Sequence, residues 1–134
     1  MEIKTIESQP AEAGSEKTFT GSVHLRRLFN AAEPSCIACV CVTFDPRART
    51  AWHNHPLGQT LIVTEGRGFI QAWGEPVRLI KPGDVIWTPP GQKHWHGAAP
   101  DSSMTHIAMQ GALDGKTVNW MEKVTDDEYA AFRS

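Results

Sequence analysis

From residue 22 onward apolar and polar residues alternate with period two in short runs rich in β-branched and aromatic side chains. The runs are Ser22 to Phe29, Cys36 to Phe44, Thr60 to Glu65, Gly68 to Trp73, Val77 to Ile80, Asp84 to Thr88, Lys93 to Gly97 and Met104 to Gln110. Between them Asp45-Pro46, Pro56-Leu57-Gly58, Gly74-Glu75-Pro76, Lys81-Pro82-Gly83, Pro89-Pro90-Gly91 and Ala99-Pro100-Asp101 carry residues that pre-set a turn or tolerate positive φ. A turn about every ten residues predicts antiparallel strands in an all-β sandwich or barrel.

The two ends read differently. Residues 1–20 form a polar arm with a short strand expected at Glu2 to Ile6, ordered by pairing with another strand or subunit. At the other end Thr125 and Glu128 make a T-x-x-E capping box, and Tyr129 and Phe132 share a helical face, so a short helix is expected over 125–133. No repeat or linker divides the chain, and residues 1–134 are expected to form a single domain.

With 134 residues, 40% hydrophobic and 21% charged, the chain has enough apolar content for one core without staples. A net charge of -2 argues against a nucleic-acid partner. The longest apolar stretch, Cys36 to Val42, is too short to cross a membrane, and MEIKTIESQP has no apolar leader, so no membrane partner and a cytoplasmic location are expected. Cys36, Cys39 and Cys41 are odd in number and crowded into one run; they read as small apolar residues of a buried strand in a reducing compartment.

Four of the six histidines fall in two H-x-H pairs, His53-Asn54-His55 and His94-Trp95-His96. Alternate strand residues project to one face, so each pair can aim two imidazoles into one space and send Trp52 and Trp95 the other way. The Pro56-Leu57-Gly58 turn would return the Gln59 carbonyl beside them. Imidazole nitrogens with one amide oxygen suit a divalent transition metal, with Mn, Fe, Co, Ni, Cu and Zn separated by geometry and availability. His106 shares a strand face with Ala108 and Gln110 that can look at the same space, whereas a buried structural histidine is the alternative there. His24, beside Arg26 and Arg27, is expected to lie outside the site.

This spacing resembles the cupin family. Its first motif, G-x5-H-x-H-x3,4-E-x6-G, is matched by His53, His55, Gln59 and Gly66, and its second, G-x5-P-x-G-x2-H-x3-N, by Gly83, Pro89, Gly91 and His94. Arg47 stands where the first motif has glycine, Gln59 where it has glutamate, and Ala98 where the second has asparagine. The two motifs span residues 47–98. Glutamine in place of glutamate leaves a bound divalent ion nearly its full charge, which favours polarising a bound oxygen over oxidation chemistry.

Thr50-Ala-Trp-His53 through Thr64, Gly91 through Pro100, Met104-Thr105-His106 and Leu113 through Lys116 further resemble small bacterial cupins with manganese-dependent (R)-selective hydroxynitrile lyase activity. The resemblance implies a double-stranded β-helix of jelly-roll type. It also implies that His53, His55, Gln59 and His94 bind the metal, with Mn(II) first and Fe(II), Ni(II), Co(II) or Zn(II) behind it. Thr50, His96, His106 and Gln110 would line the substrate pocket, with Val40 and Val42 as apolar wall. The implied substrate is a cyanohydrin, or an aldehyde plus cyanide, with His106 as base and His96 as acid or the two exchanged. The alternatives are a cupin dioxygenase and a non-catalytic metal-containing ligand-binding cupin. Sheet edges and five tryptophans point to a homo-oligomer, dimer or tetramer.

Overall fold

The computed structural model describes residues 1–134. In chain order the strands are β1 (Glu12–Ala13), β2 (Phe19–Thr20), β3 (Val23–Asn30), β4 (Ile37–Phe44), β5 (Arg49–Thr50), β6 (His53–Asn54), β7 (Gln59–Gly66), β8 (Gly68–Ala72), β9 (Arg78–Ile80), β10 (Val85–Thr88), β11 (His94–Ala98), β12 (Met104–Gly111) and β13 (Asn119–Trp120). Helix α1 covers Asp126–Tyr129.

Two antiparallel sheets result, one in the order β1-β3-β4-β12-β7-β10, the other β13-β6-β11-β5-β2 with β8 and β9 attached to β11. Every predicted run forms a strand, shifted by a residue or two at its ends. Five two-residue strands were not anticipated, because so short a ladder has no period to read.

The N-terminal arm departs from the expected strand. Glu2 to Ile6 is not a strand: the chain there runs extended into a single 3-10 turn at Ile6–Ser8, and its apolar residues Met1, Ile3 and Ile6 face solvent with no sheet to pack on. The arm joins the fold later and within the same chain, through Glu12 and Ala13 opposite Leu25 and His24, and through Phe19 and Thr20 opposite Thr50 and Arg49.

The alternation on the long strands builds a core between the sheets, where Val23, Val42, Phe44, Leu61, Val63, Ala98, Met104 and Ala108 are buried. A second core lies on the outer face of the second sheet, where Trp52, Phe69, Val77, Trp95, Ala99, Val124 and Tyr129 pack together. Trp52 and Trp95 thus point away from their histidine neighbours, as strand alternation requires.

Helix α1 seals that second core and is shorter than expected. The capping box between Thr125 and Glu128 is present, worth about 1 kcal/mol. The helix nevertheless stops after Tyr129, whose hydroxyl donates to the Ala98 carbonyl at 2.6 Å. Phe132 still reaches the core and stacks on Phe69 at 4.8 Å.

Arg47, in the place of a motif glycine, adopts φ 73°, a left-handed conformation that glycine would hold without strain. Of the cysteines, Cys39 is buried as expected, but Cys36 lies just before β4 and is exposed. Burial pushes the Cys39 and Cys41 thiols above their ordinary pKa, which makes them poor nucleophiles. No helix is long and apolar enough to cross a membrane.

Candidate metal centre and imidazole pair

Strands β6 and β11 lie side by side with His53 opposite His94, so the two H-x-H segments deliver their imidazoles into one volume between the sheets. The ring centroids of His53 and His94 are 4.2 Å apart, with His55 at 5.0 Å from His53 and 5.4 Å from His94. The turn after His55 is closed by Gly58 at φ 80°, where a side chain would also strike the Thr88 carbonyl at 2.8 Å. It returns the chain at Gln59, whose Oε1 lies 3.4 Å from His94 Nε2.

Three of these rings are held the same way. Nδ1 of His53 meets the Ala51 carbonyl at 2.8 Å, Nδ1 of His94 meets the Gln92 carbonyl at 2.9 Å, and Nδ1 of His55 meets the Thr117 carbonyl at 2.7 Å. A carbonyl only accepts, so each Nδ1 carries the proton and each Nε2 presents a lone pair inward, the tautomer a metal ligand needs. Gln59 is oriented similarly: its Nε2 donates to Gln110 Oε1 at 3.1 Å, which leaves Oε1 turned to the imidazoles.

His96 and His106 are wired differently. They lie on facing sheets, and Nε2 of His106 meets Nδ1 of His96 at 3.1 Å, so a single proton sits between the two rings. The His96 backbone N–H donates to Thr50 Oγ1 at 3.2 Å, fixing that strand position. Phe44 closes off the pair, 5.9 Å from His96 and 5.4 Å from His106.

All five histidines are neutral at neutral pH. Burial pulls His94 and His106 down to about 4, and pulls His53 and His96 well below the ordinary value, helped by neighbouring imidazoles. His55 is lowered too, mainly by burial and less strongly.

Three buried nitrogens have no hydrogen-bond partner: His55 Nε2, His96 Nε2 and His106 Nδ1. Orphaned buried acceptors or donors cost about 1–3 kcal/mol each, and a cation held among the rings would give His55 Nε2 or His96 Nε2 a partner. His53, His94 and His96 have donor atoms within 4.8 Å of one another and could hold a metal ion. His96 therefore enters the ligand radius, where the family resemblance names His55 as the third imidazole.

The remaining expected residues converge on the same cavity of about 370 Å³, which Val40, Val42, Thr50, His96, His106 and Gln110 all line with His53, His55 and Gln59. His94 instead borders a smaller cavity on its other side. His24 is exposed and away from the site. The spacing did not anticipate Phe19, Val118 and Trp120 on the cavity wall, nor the Thr117 carbonyl behind His55. These belong to two-residue strands and loops without periodicity. Only the i−2 carbonyls behind His53 and His94 are local enough to be inferred from sequence.

Known proteins resemble this chain in sequence and in fold. The family model described as Cupin domain matches residues 40–109. A protein of Granulicella tundricola named (R)-mandelonitrile lyase is 57% identical over 129 residues, 96% of this chain and 98% of that one. A cupin-like protein of Thermotoga maritima superposes with a TM-score of 0.87 at 40% identity, covering 96% of this chain and 98% of its own. A polyketide cyclase of Streptomyces resistomycificus shares the fold, with a TM-score of 0.75 at 17% identity over 96% of this chain and 90% of that one.

Proposed function

The chain belongs to the cupin family, and from that premise we propose that it is a metal-dependent hydroxynitrile lyase, cleaving cyanohydrins to an aldehyde and cyanide and running the reverse addition. The observation that carries the reading is the close packing, between the two sheets, of two imidazole sets, one tethered to main-chain carbonyls and the other hydrogen-bonded ring to ring. The 57% identity to a protein named (R)-mandelonitrile lyase supports it.

His53, His55, His94 and Gln59 are the proposed ligands, because main-chain carbonyls and Gln110 fix all four in ligating orientation. A divalent ion held there, Mn(II) by the resemblance of the motifs, would act as a Lewis acid toward the negative charge that develops on the cyanohydrin oxygen.

The chain's own part is proton transfer and orientation. His96 Nε2, orphaned and facing the cavity, is the proposed contact atom for the cyanohydrin hydroxyl. When the shared proton rests on His96 Nδ1, Nε2 is a lone pair and accepts the hydroxyl proton; the carbon–carbon bond to the nitrile breaks and its electron pair leaves as cyanide. His106 Nε2 then hydrogen-bonds the imidazolium, and the proton passes from His96 to cyanide. Thr50 holds the His96 backbone, while Val40 and Val42 supply apolar wall. His106 thus acts through His96 rather than as a second independent acid or base.

The experiment is cleavage of racemic mandelonitrile by protein grown with Mn, beside a chelator-stripped sample, reading benzaldehyde release and the chirality of what remains. The expected result is metal-dependent, enantioselective release. No release from protein shown to contain metal would overturn the proposal.

A further inference from the structure

The cavity has a polar floor and an aromatic outer half. Phe19 sits edge-on to Phe44 at 6.1 Å and to Trp120 at 5.8 Å, so the three rings make one continuous wall. The wall runs from Phe44, against the His96 and His106 pair, to Trp120, which lies 4.8 Å from the ring of His53. Phe19 is its middle member and is half-buried. The one ion pair at the cavity, Glu12 with Arg27 at 3.4 Å, neutralises itself.

Both segments that carry this wall come from the ends of the chain. Phe19 arrives on β2, opposite Thr50, and Trp120 on β13, opposite His53. Lys123 ties them: its ammonium donates to the carbonyls of Glu16 and of Phe19, the latter at 2.6 Å. The Phe19 ring rests on Gly14, where an added Cβ would lie 2.8 Å from Phe19 Cδ2. The ring is thereby placed from three sides, by strand pairing, by the lysine and by a bare backbone beneath it.

We infer that Phe19 is a specificity-determining residue that receives the aryl group of an aromatic cyanohydrin or aldehyde, and that Lys123 is a positioning residue for the segment carrying it. Aromatic rings prefer offset or edge-to-face contact at the separations seen within this wall, and an aryl substituent extends it where an alkyl group only fills space. The inference rests on the lyase reading for its substrate, but the aryl preference is a property of the cavity.

The test compares kcat/KM for mandelonitrile with that for acetone cyanohydrin in the wild type, Phe19→Ala, Phe19→Leu, Lys123→Met and Lys123→Arg, with metal content and melting temperature measured on each. The aromatic-to-aliphatic ratio is expected to fall about tenfold in Phe19→Ala, through KM, and less in Phe19→Leu. In Lys123→Met it should fall by about threefold, with recovery in Lys123→Arg. An unchanged ratio in Phe19→Leu and Lys123→Met, with metal and melting preserved, would overturn the inference even if Phe19→Ala does not fold.

A wild type that turns over neither cyanohydrin sinks the lyase reading separately. NMR titration with benzyl alcohol against 2-propanol then decides: tighter aryl binding that is lost in Phe19→Leu sustains the site, and no aryl preference in the wild type removes it.

Discussion

His53, His55 and His94 differ from His96 and His106 in what the ring nitrogens bond to, although all five rings are buried and close together. In the first set a backbone carbonyl fixes both tautomer and ring plane, and the carbonyl cannot give a proton back. In the second set each ring is the other's partner, so the proton between them can sit on either nitrogen. The same side chain becomes a rigid lone pair in one place and a mobile proton store in the other. The element supplying the partner decides which: an i−2 carbonyl or loop for the first set, a facing strand for the second.

The largest effects should come from deleting members of each set and measuring bound metal directly. Outer-shell partners of metal ligands typically matter 10–100-fold and ligands more, so His94→Ala and His55→Ala are expected to lose nearly all metal and, with it, turnover. His96→Ala should keep its metal while kcat falls by about 10²–10⁴, the range for a lost acid–base group. His106→Phe should resemble His96→Ala. The alternative grouping of His96 with His53 and His94 predicts the reverse pattern, with metal lost from His96→Ala and retained by His55→Ala. Metal analysis of these two variants therefore decides which three imidazoles form the rigid set.

Acid should erode the contrast, with a definite sign. Burial holds His106 neutral down to about 4, against an ordinary 6.5 once the chain unfolds. Between those values the unfolded chain takes up a proton that the folded chain refuses, so stability is full at neutral pH and is lost as pH falls from 6.5 toward 4. A fall from 6.5 to about 4 corresponds to on the order of 3 kcal/mol for this one ring. Urea unfolding of the chelator-stripped wild type at pH 7.5, 5.5 and 4.5 should therefore show steadily lower midpoints. The same series in His106→Phe should be flatter; equal slopes would mean that His106 does not stay neutral in the fold.

The first set was far more legible in the sequence than the second. His53, His55 and His94 belong to two short H-x-H motifs, with Gln59 returning after a turn, and alternation alone sends the imidazoles to one face while Trp52 and Trp95 go to the other. His106 was readable as facing the site, but not as the direct partner of His96, because that contact depends on how two separate sheets close over Phe44. The barrel itself was readable from eight runs and their turns. Its roof was not: β2 and β13 are two residues each, and what places Phe19 and Trp120 is pairing with strands distant in sequence. The Glu2 to Ile6 expectation failed for a related reason, since alternation in five residues means little unless a sheet edge is there to receive it.

The smallest effect tests the one proposed ligand whose orientation comes from a side chain. Gln59 has no backbone tether; Gln110 accepts from its Nε2 and so keeps Oε1 turned toward His94. In Gln110→Leu the amide loses that anchor and can present either its oxygen or its NH₂ group to the metal, and only the oxygen ligates. Metal affinity, measured by competition with a chelator, is expected to fall about tenfold. Gln110→Glu retains an acceptor at the same reach, and its affinity should stay above that of the leucine variant. If both variants bind metal as the wild type does, Gln59 is oriented by the metal itself, and the side-chain tether adds nothing to the rigidity of the first set.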